Sequence, residues 1–180
     1  KYLVNSEAYA KASEWVSNYL KSRTDSELDI KITAVGMAFS WLGFLKKIPT
    51  WLENNPGCRI HVCILLVDPN HLEELPIAIS PINWVEQSTS RISDIEKMTD
   101  ELLPPEKERF CCTIKFYRQL PQYHGILIND DQLFLGRTDW KFDNCPEGKP
   151  ELTVGQNRYR YFNRTTTQGQ DRGFERIDLF

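Results

Sequence analysis

The run from Arg59 to Asp68, RIHVCILLVD, is the strongest structural signal in the chain. Its apolar residues follow one another almost without interruption, yet the run is far too short to cross a bilayer. A short, continuous apolar segment is typical of a strand that is buried on both faces, as in the middle of a parallel sheet. We therefore expect this strand at the centre of a sheet with both of its faces covered.

The residues before this strand predict that it closes a βαβ unit. From Ile30 to Val35 apolar side chains alternate with more polar ones, which indicates a strand. Apolar residues at helical spacing over residues 41–52 indicate a helix. The sequence NNPG at 54–57 is a strong helix breaker. We expect a right-handed crossover between the two parallel strands.

Four further segments carry clear signals. They are a helix over residues 7–21, a Pro-rich loop over 69–83, a helix over 84–103 and a strand over 111–117. Asn5 or Ser6 can serve as the N-cap of the first helix. Together the elements predict a mixed α/β fold with a largely parallel sheet flanked by helices.

The chain of 180 residues is the right size for one domain with a full hydrophobic core. We expect residues 1–27 to form an N-terminal helix that links to an upstream domain, and residues 28–180 to form the α/β domain. The net charge of −3 supplies no bulk cationic field for nucleic acid. The five cysteines and three histidines show no metal-binding spacing, so we expect no metal and no cofactor.

The cysteines form no disulfide framework, which favours a reducing cytoplasm, and no segment predicts a membrane span. Five arginines are concentrated between Arg158 and Arg176. This basic segment is interpreted as a solvated surface hairpin or, alternatively, as a surface that binds an anion or a partner.

Residues 122–140, QYHGILINDDQLFLGRTDW, predict a hairpin whose second strand ends at a glycine. With GCRIHVCILLVDP at 57–69, this hairpin resembles one unit of the phospholipase D-like superfamily. It is most similar to bacterial domains of this type that are attached to regulators. The resemblance implies a homodimer, because the family builds its site across two units, and an upstream DNA-binding domain in the full-length chain.

Active members of that family carry the motif His-x-Lys, four residues, Asp, six residues, Gly-Ser-x-Asn. The resemblance implies a mechanism in which one histidine attacks phosphorus and a second protonates the leaving group. Lysines and asparagines hold the phosphate oxygens.

Two registers place this motif on the hairpin. In the first, His124 takes the nucleophile position and Asp131 the aspartate position. The lysine position then holds Ile126, and Gly136 falls two residues too early for the glycine position. This register keeps the histidine but loses the cation that neutralises the phosphate.

In the second register, Gly136 takes the glycine position. The positions of the histidine, lysine, aspartate, serine and asparagine are then held by Gln122, His124, Asn129, Arg137 and Asp139. We prefer this register because it keeps strand, turn and strand without a gap, with the turn at Asp130-Asp131. A glutamine amide cannot attack phosphorus, so the catalytic set is incomplete in either register.

The polar residues that remain are suited to hydrogen-bond an anionic or nucleotide-like ligand without reacting with it. They are Gln122, His124, Asn129, Arg137, Thr138 and Asp139, with Tyr123 beside them. Arg137 is the best oxyanion partner, and His124 could donate to an anion when it is protonated. The alternative is that these side chains form a purely structural network.

The sequence thus predicts a catalytically degenerate phospholipase D-like domain that acts as a ligand-binding, sensing or dimerisation module for a phosphate-containing or nucleotide-like ligand. The alternative is an active phosphodiesterase or nuclease that uses His124 in an altered site shared across a dimer. A third hypothesis is a structural dimerisation domain within a larger regulator.

Overall fold

The computed structural model describes residues 2–35, 39–74, 84–138, 140–141, 151–152 and 158–164. The helices are α1 (Asn5–Lys21), α2 (Phe39–Leu45), α3 (Ile48–Asn54), α4 (Pro69–Glu74), α5 (Trp84–Asp100) and α6 (Pro104–Lys107). The strands are β1 (Tyr2–Val4), β2 (Ser26–Ala34), β3 (Cys58–Val67), β4 (Phe110–Tyr117), β5 (Tyr123–Ile128), β6 (Gln132–Arg137), β7 (Trp140–Lys141), β8 (Glu151–Leu152) and β9 (Arg158–Asn163). No helix in the described ranges is long and apolar enough to span a membrane.

Seven strands form one sheet in the order β1-β9-β6-β5-β2-β3-β4, while β7 and β8 pair separately. Strand β3 lies parallel to β2 and β4, which confirms the predicted βαβ unit. The other four neighbouring pairs of this sheet are antiparallel. The predicted mixed α/β class is confirmed, but the expectation of a largely parallel sheet is wrong, because the β5–β6 hairpin and β9 extend the sheet with antiparallel strands.

Strand β3 is buried along one face, whereas the other face is buried only at Val67, so the expectation of burial on both faces is wrong for most of the strand. Ile60 and Ile64 are 0% exposed in the main core, which also receives side chains from α1, α2, α3 and α5. On the other face Arg59 and His61 are exposed, and Cys63 is half-buried. Buried and more exposed side chains alternate along β3, as in most strands. The sequence does not show this alternation, because Cys63 and its neighbours are apolar on both faces.

Helix α1 belongs to the same core as the sheet. Its Ala8, Ala12 and Val16 are all 0% exposed, and they pack in the cluster that contains the buried residues of β2 and β3. The predicted boundary at residues 27 and 28 falls inside β2. Val4 occupies the N-cap position instead of Asn5 or Ser6, and its backbone N–H donates to the Glu7 carboxylate at 3.0 Å.

Prolines account for most differences in the helix boundaries. The structure has two helices where one is predicted over residues 41–52. Helix α2 ends at Leu45, and α3 begins at Ile48 with Pro49 in its first turn, where proline is favoured. The two prolines Pro104 and Pro105 start α6 instead of only ending α5. Helix α4 occupies the first part of the predicted 69–83 loop, and residues 75–83 lie outside the described part.

The basic segment supplies an inner strand of the sheet. Strand β9 lies between β1 and β6, so the interpretation of residues 158–163 as a surface hairpin is wrong. Tyr159 is 0% exposed in the main core, whereas Arg158 and Arg160 point to the other face and are exposed. Residues 165–180, with the last two of the five arginines, lie outside the described part.

Candidate functional site

The candidate site lies where the parallel strands end. Strand β5 pairs antiparallel with β2, and Gly125 stands opposite Thr33 near the carboxyl end of β2. His124, one residue before Gly125, therefore lies at the edge of the sheet where α/β proteins place ligands. Strand β6 returns beside β5 and brings Gly136 opposite His124.

Two neutral side chains hold the His124 imidazole. Its Nδ1 lies 3.0 Å from the Thr138 hydroxyl oxygen. Its ring meets the ring of Tyr159 edge-on, with the centroids 5.3 Å apart. The Trp41 indole N–H in turn donates to the Tyr159 hydroxyl at 3.1 Å. The histidine is thereby tied to α2 and to β9, and no cationic side chain is among its partners in the described residues.

The His124 ring packs directly on the backbone of Gly136. A methyl group in place of the glycine hydrogen would lie 2.3 Å from the imidazole Nε2 and 2.7 Å from Cε1. Carbon atoms essentially never approach other heavy atoms so closely, so the ring occupies the space that only a glycine leaves free. Gly136 therefore has a packing role that any larger residue would abolish.

The imidazole Nε2 is buried and has no hydrogen-bond partner within the described ranges. Burial lowers the pKa of His124 to about 4, so the ring is neutral near pH 7. The sequence-based hypothesis that a protonated His124 donates to an anion therefore does not hold at neutral pH. Removal of the aromatic and backbone cover would be needed to expose this nitrogen.

Asn129 lies at the opposite end of the hairpin from His124. Asn129 follows His124 by five residue steps, which along an extended strand place their Cα atoms about 16 Å apart. The Asn129 backbone N–H donates to the Asp29 carbonyl at 2.8 Å, and its side-chain oxygen accepts from the Asp29 N–H at 2.8 Å. Asn129 thus extends the pairing between β2 and β5 and does not converge with His124.

The turn of the hairpin also differs from the prediction. Asn129 and Asp130 both have a φ of 51°, and the Asp131 N–H donates to the Ile128 carbonyl at 3.1 Å. The turn is therefore centred on Asn129-Asp130 and not on Asp130-Asp131. Asparagine and aspartate tolerate this left-handed conformation better than most residues, which explains their presence here.

Asn129→Ala should lower the free energy of unfolding by about 2 kcal/mol, because it removes a hydrogen bond and places a residue with a Cβ and no compensating side-chain contact at positive φ. Asn129→Gly is the matched control, since glycine accepts this φ and loses only the hydrogen bond, at a cost of about 1 kcal/mol. Urea unfolding of both variants measures the difference. Equal losses would show that the left-handed turn carries no cost for alanine.

Arg137 and Tyr123 lie on the sheet face opposite to His124, because neighbouring side chains of a strand alternate. They are direct cross-strand neighbours, and both are exposed. Gln122 is exposed just before β5, and its backbone carbonyl accepts from the Thr138 N–H at 2.9 Å. The structure thus brings Gln122, Tyr123 and Arg137 to one exposed end of the hairpin, whereas Asp139 lies outside the described residues.

The sequence did not reveal two residues that define the surroundings of His124. Tyr159 lies in the basic segment, where the charge of the arginines suggests a surface hairpin. Burial raises the pKa of Tyr159 to about 12, although the hydrogen bond from Trp41 lowers it. Trp41 lies in the helix predicted over residues 41–52, but the helical spacing does not indicate its hydrogen bond to Tyr159. An alternation of arginine with aromatic residues over 158–162, RYRYF, was the available signal for an inner strand.

A second concave region lies at the other end of the sheet. A groove of about 440 Å³ is lined by Asp25, Ser26, Glu27, Pro56, Gly57, Arg59 and Arg109. Arg109 donates to the backbone carbonyls of Asn55 and Cys58, both at 3.0 Å, and so closes the end of α3. Within the described ranges no three His, Cys, Asp or Glu side chains are grouped so that they could hold a metal ion.

Comparison of the chain with protein-family models, curated proteins and solved structures gives no significant match.

Proposed function

We propose that this chain is a phospholipase D-like domain without catalytic activity, which works as a homodimeric binding or sensing module for a phosphate-containing or nucleotide-like ligand. The observation that carries the proposal is the burial of the His124 Nε2 against Gly136. A nucleophile must reach phosphorus in line with the leaving group, and this nitrogen is covered. The family resemblance adds the expectation of an upstream DNA-binding domain.

The lysine position supports the loss of catalysis in either register. When His124 is taken as the nucleophile, the lysine position is Ile126, which is 0% exposed in the main core. When His124 takes the lysine position itself, it supplies a neutral ring with a pKa of about 4. Neither arrangement offers the positive charge that stabilises a phosphoryl transition state.

The exposed end of the hairpin is the better place for a ligand. Arg137 offers a guanidinium, whose fork of N–H groups matches the oxygens of a phosphate. Tyr123 is its cross-strand neighbour and is 41% exposed, so its ring could stack on a nucleotide base. Gln122 adds an amide at the same end. On the other face of the hairpin, the contact between His124 and Thr138 holds the start of β5 against the end of β6.

A panel of nucleotides and phosphate esters tests the binding role. At a ligand concentration of about 100 Kd, the native state gains about 2.7 kcal/mol, which raises the melting temperature of a domain of this size by about 5 °C or more. Arg137→Ala should abolish the shift. Arg59→Ala is the matched control. Arg59 is an exposed arginine on the same face of the sheet as Arg137, but it lies at the start of β3, at the opposite end of the sheet. An unchanged shift in Arg137→Ala would contradict this placement of the ligand.

Hydrolysis of bis-p-nitrophenyl phosphate and of single-stranded DNA tests the loss of catalysis. We expect no turnover above a blank without protein. Turnover by the wild type that disappears in His124→Ala would contradict the proposal and support the alternative, a phosphodiesterase or nuclease with a site shared across a dimer.

A further inference from the structure

Strand β4 forms one edge of the seven-stranded sheet and has eight residues, FCCTIKFY. Its register with β3 is continuous from Phe110 to Tyr117, so no bulge interrupts it. Proteins usually protect an edge strand by making it short, bulged, charged or proline-containing. Lys115 is the only charged residue on this strand. The edge is therefore well formed for pairing with another strand.

The free backbone groups of this edge belong to alternate residues. The carbonyls of Arg109 and Tyr117 accept hydrogen bonds from Ile60 and Asp68, so the odd-numbered residues of β4 face β3. By alternation, the even-numbered residues direct their N–H and C=O groups away from the sheet. No strand in the described part of the chain pairs with them.

The same even-numbered residues carry an apolar stripe, which consists of Phe110, Cys112, Ile114 and Phe116. Phe110, Cys112 and Ile114 pack against the main core but are only half-buried, and Phe116 is 51% exposed. Burial raises the pKa of the Cys112 thiol to about 11, so this thiol remains protonated and acts as an apolar side chain. The stripe continues the core to the edge of the sheet, and no strand of the described ranges lies beyond it.

We propose that β4 pairs antiparallel with β4 of a second copy of this chain, about a two-fold axis at Thr113. In this register Phe110 lies opposite Phe116 of the second copy, and Cys112 lies opposite Ile114. Both are pairs of even-numbered residues, so their free backbone groups bond to each other. Aromatic and aliphatic cross-strand pairs of this kind stabilise antiparallel ladders. The two sheets would then join into one.

The side chains of β4 itself favour a second copy over an unrelated peptide, because in this register each apolar side chain of the stripe meets another member of the stripe. Lys115, the only charged residue on the strand, meets the neutral Cys111, so the register brings no like charges together. The self-complementary sequence thus fits the requirement of a two-fold interface, in which the same surface serves both copies.

This inference deepens the dimerisation part of the proposed function, and it does not depend on ligand binding. Sedimentation velocity of the 180-residue chain should give a dimer. Phe116→Pro removes an outward N–H and an exposed ring, and an edge strand tolerates proline at such a position. We therefore expect a folded monomer, with the dissociation constant raised by about tenfold or more.

A cysteine at the two-fold axis gives an independent readout. Thr113 would face itself in a non-hydrogen-bonded pair with a Cα separation of about 4.5 Å, which is within the range of a disulfide. With Cys111→Ser as background, Thr113→Cys should form a covalent dimer under copper phenanthroline. Thr89→Cys, on the exposed side of α5, should give no more covalent dimer than the background.

A monomeric wild type would overturn the inference. So would a dimer that Phe116→Pro leaves intact and that Thr113→Cys crosslinks no better than Thr89→Cys, because the interface would then lie elsewhere. A monomer that still gains thermal stability from a phosphate-containing ligand would overturn this interface alone and leave the binding role standing.

Discussion

Gly136→Ala should lower the free energy of unfolding by about 3 kcal/mol, because the new methyl group would overlap the His124 ring. The ring cannot turn away easily. Thr138 holds its Nδ1 at 3.0 Å, and Tyr159 meets it edge-on. The clash must therefore be relieved by moving β5 away from β6, or by forcing the imidazole from its rotamer.

A double-mutant cycle isolates the contact between these two residues. In a His124→Ala background, Gly136→Ala should cost less than 1 kcal/mol, roughly the cost of a tolerated change of volume. Urea unfolding of the four proteins gives the coupling energy. Equal costs in both backgrounds would show that the ring does not occupy the space above Gly136.

Gly43→Ala is the matched control for a glycine substitution as such. Gly43 lies in α2, where an added methyl group would meet the Tyr9 ring at 3.7 Å, an ordinary contact distance. Alanine also favours a helix over glycine, so this variant should be as stable as the wild type or slightly more stable. A large loss in Gly43→Ala would mean that glycine replacements destabilise this chain for reasons other than overlap.

Local patterns predicted the elements whose signals lie within one segment. The apolar run of β3 and the helical spacing of α1 placed both elements within a few residues of their observed bounds. Which face of β3 is covered could not be read from the run, because Cys63 is apolar enough to suit either face. Strand β9 was missed because the charge of its arginines masked the alternation with Tyr159.

The candidate site depended on relations between segments, which one segment cannot reveal. The sequence indicates His124 as a candidate, but the surroundings of this residue come from Gly136 across the hairpin and from Tyr159 on β9. Arg137 and His124 were grouped as one set, although the alternation of side chains along paired strands places them on opposite faces. Asn129 lies in the turn after β5, so the length of that strand separates it from His124.

The stability of the chain should fall as the pH is lowered from about 6.5 to 4, because His124 is buried as a neutral ring. In the unfolded chain a histidine takes up a proton near pH 6.5, whereas burial lowers the pKa of His124 in the folded chain to about 4. Between these values the unfolded state binds more protons, so the free energy of unfolding rises with pH there. The stabilisation is complete above pH 6.5 and is lost as the pH falls to 4.

The expected loss from this residue is about 2 to 3 kcal/mol, and unfolding titrations in urea at a series of pH values measure it. Carboxylates also titrate over this range, so the wild type must be compared with His124→Asn, whose amide can keep the bond to Thr138. The variant should lack the part of the slope between pH 6.5 and 4 that His124 contributes. If His124→Asn retained the slope of the wild type, the ring would be accessible to protons in the folded chain. An accessible Nε2 would remove the main argument against catalysis, and the phosphodiesterase alternative would then become the better account of this hairpin.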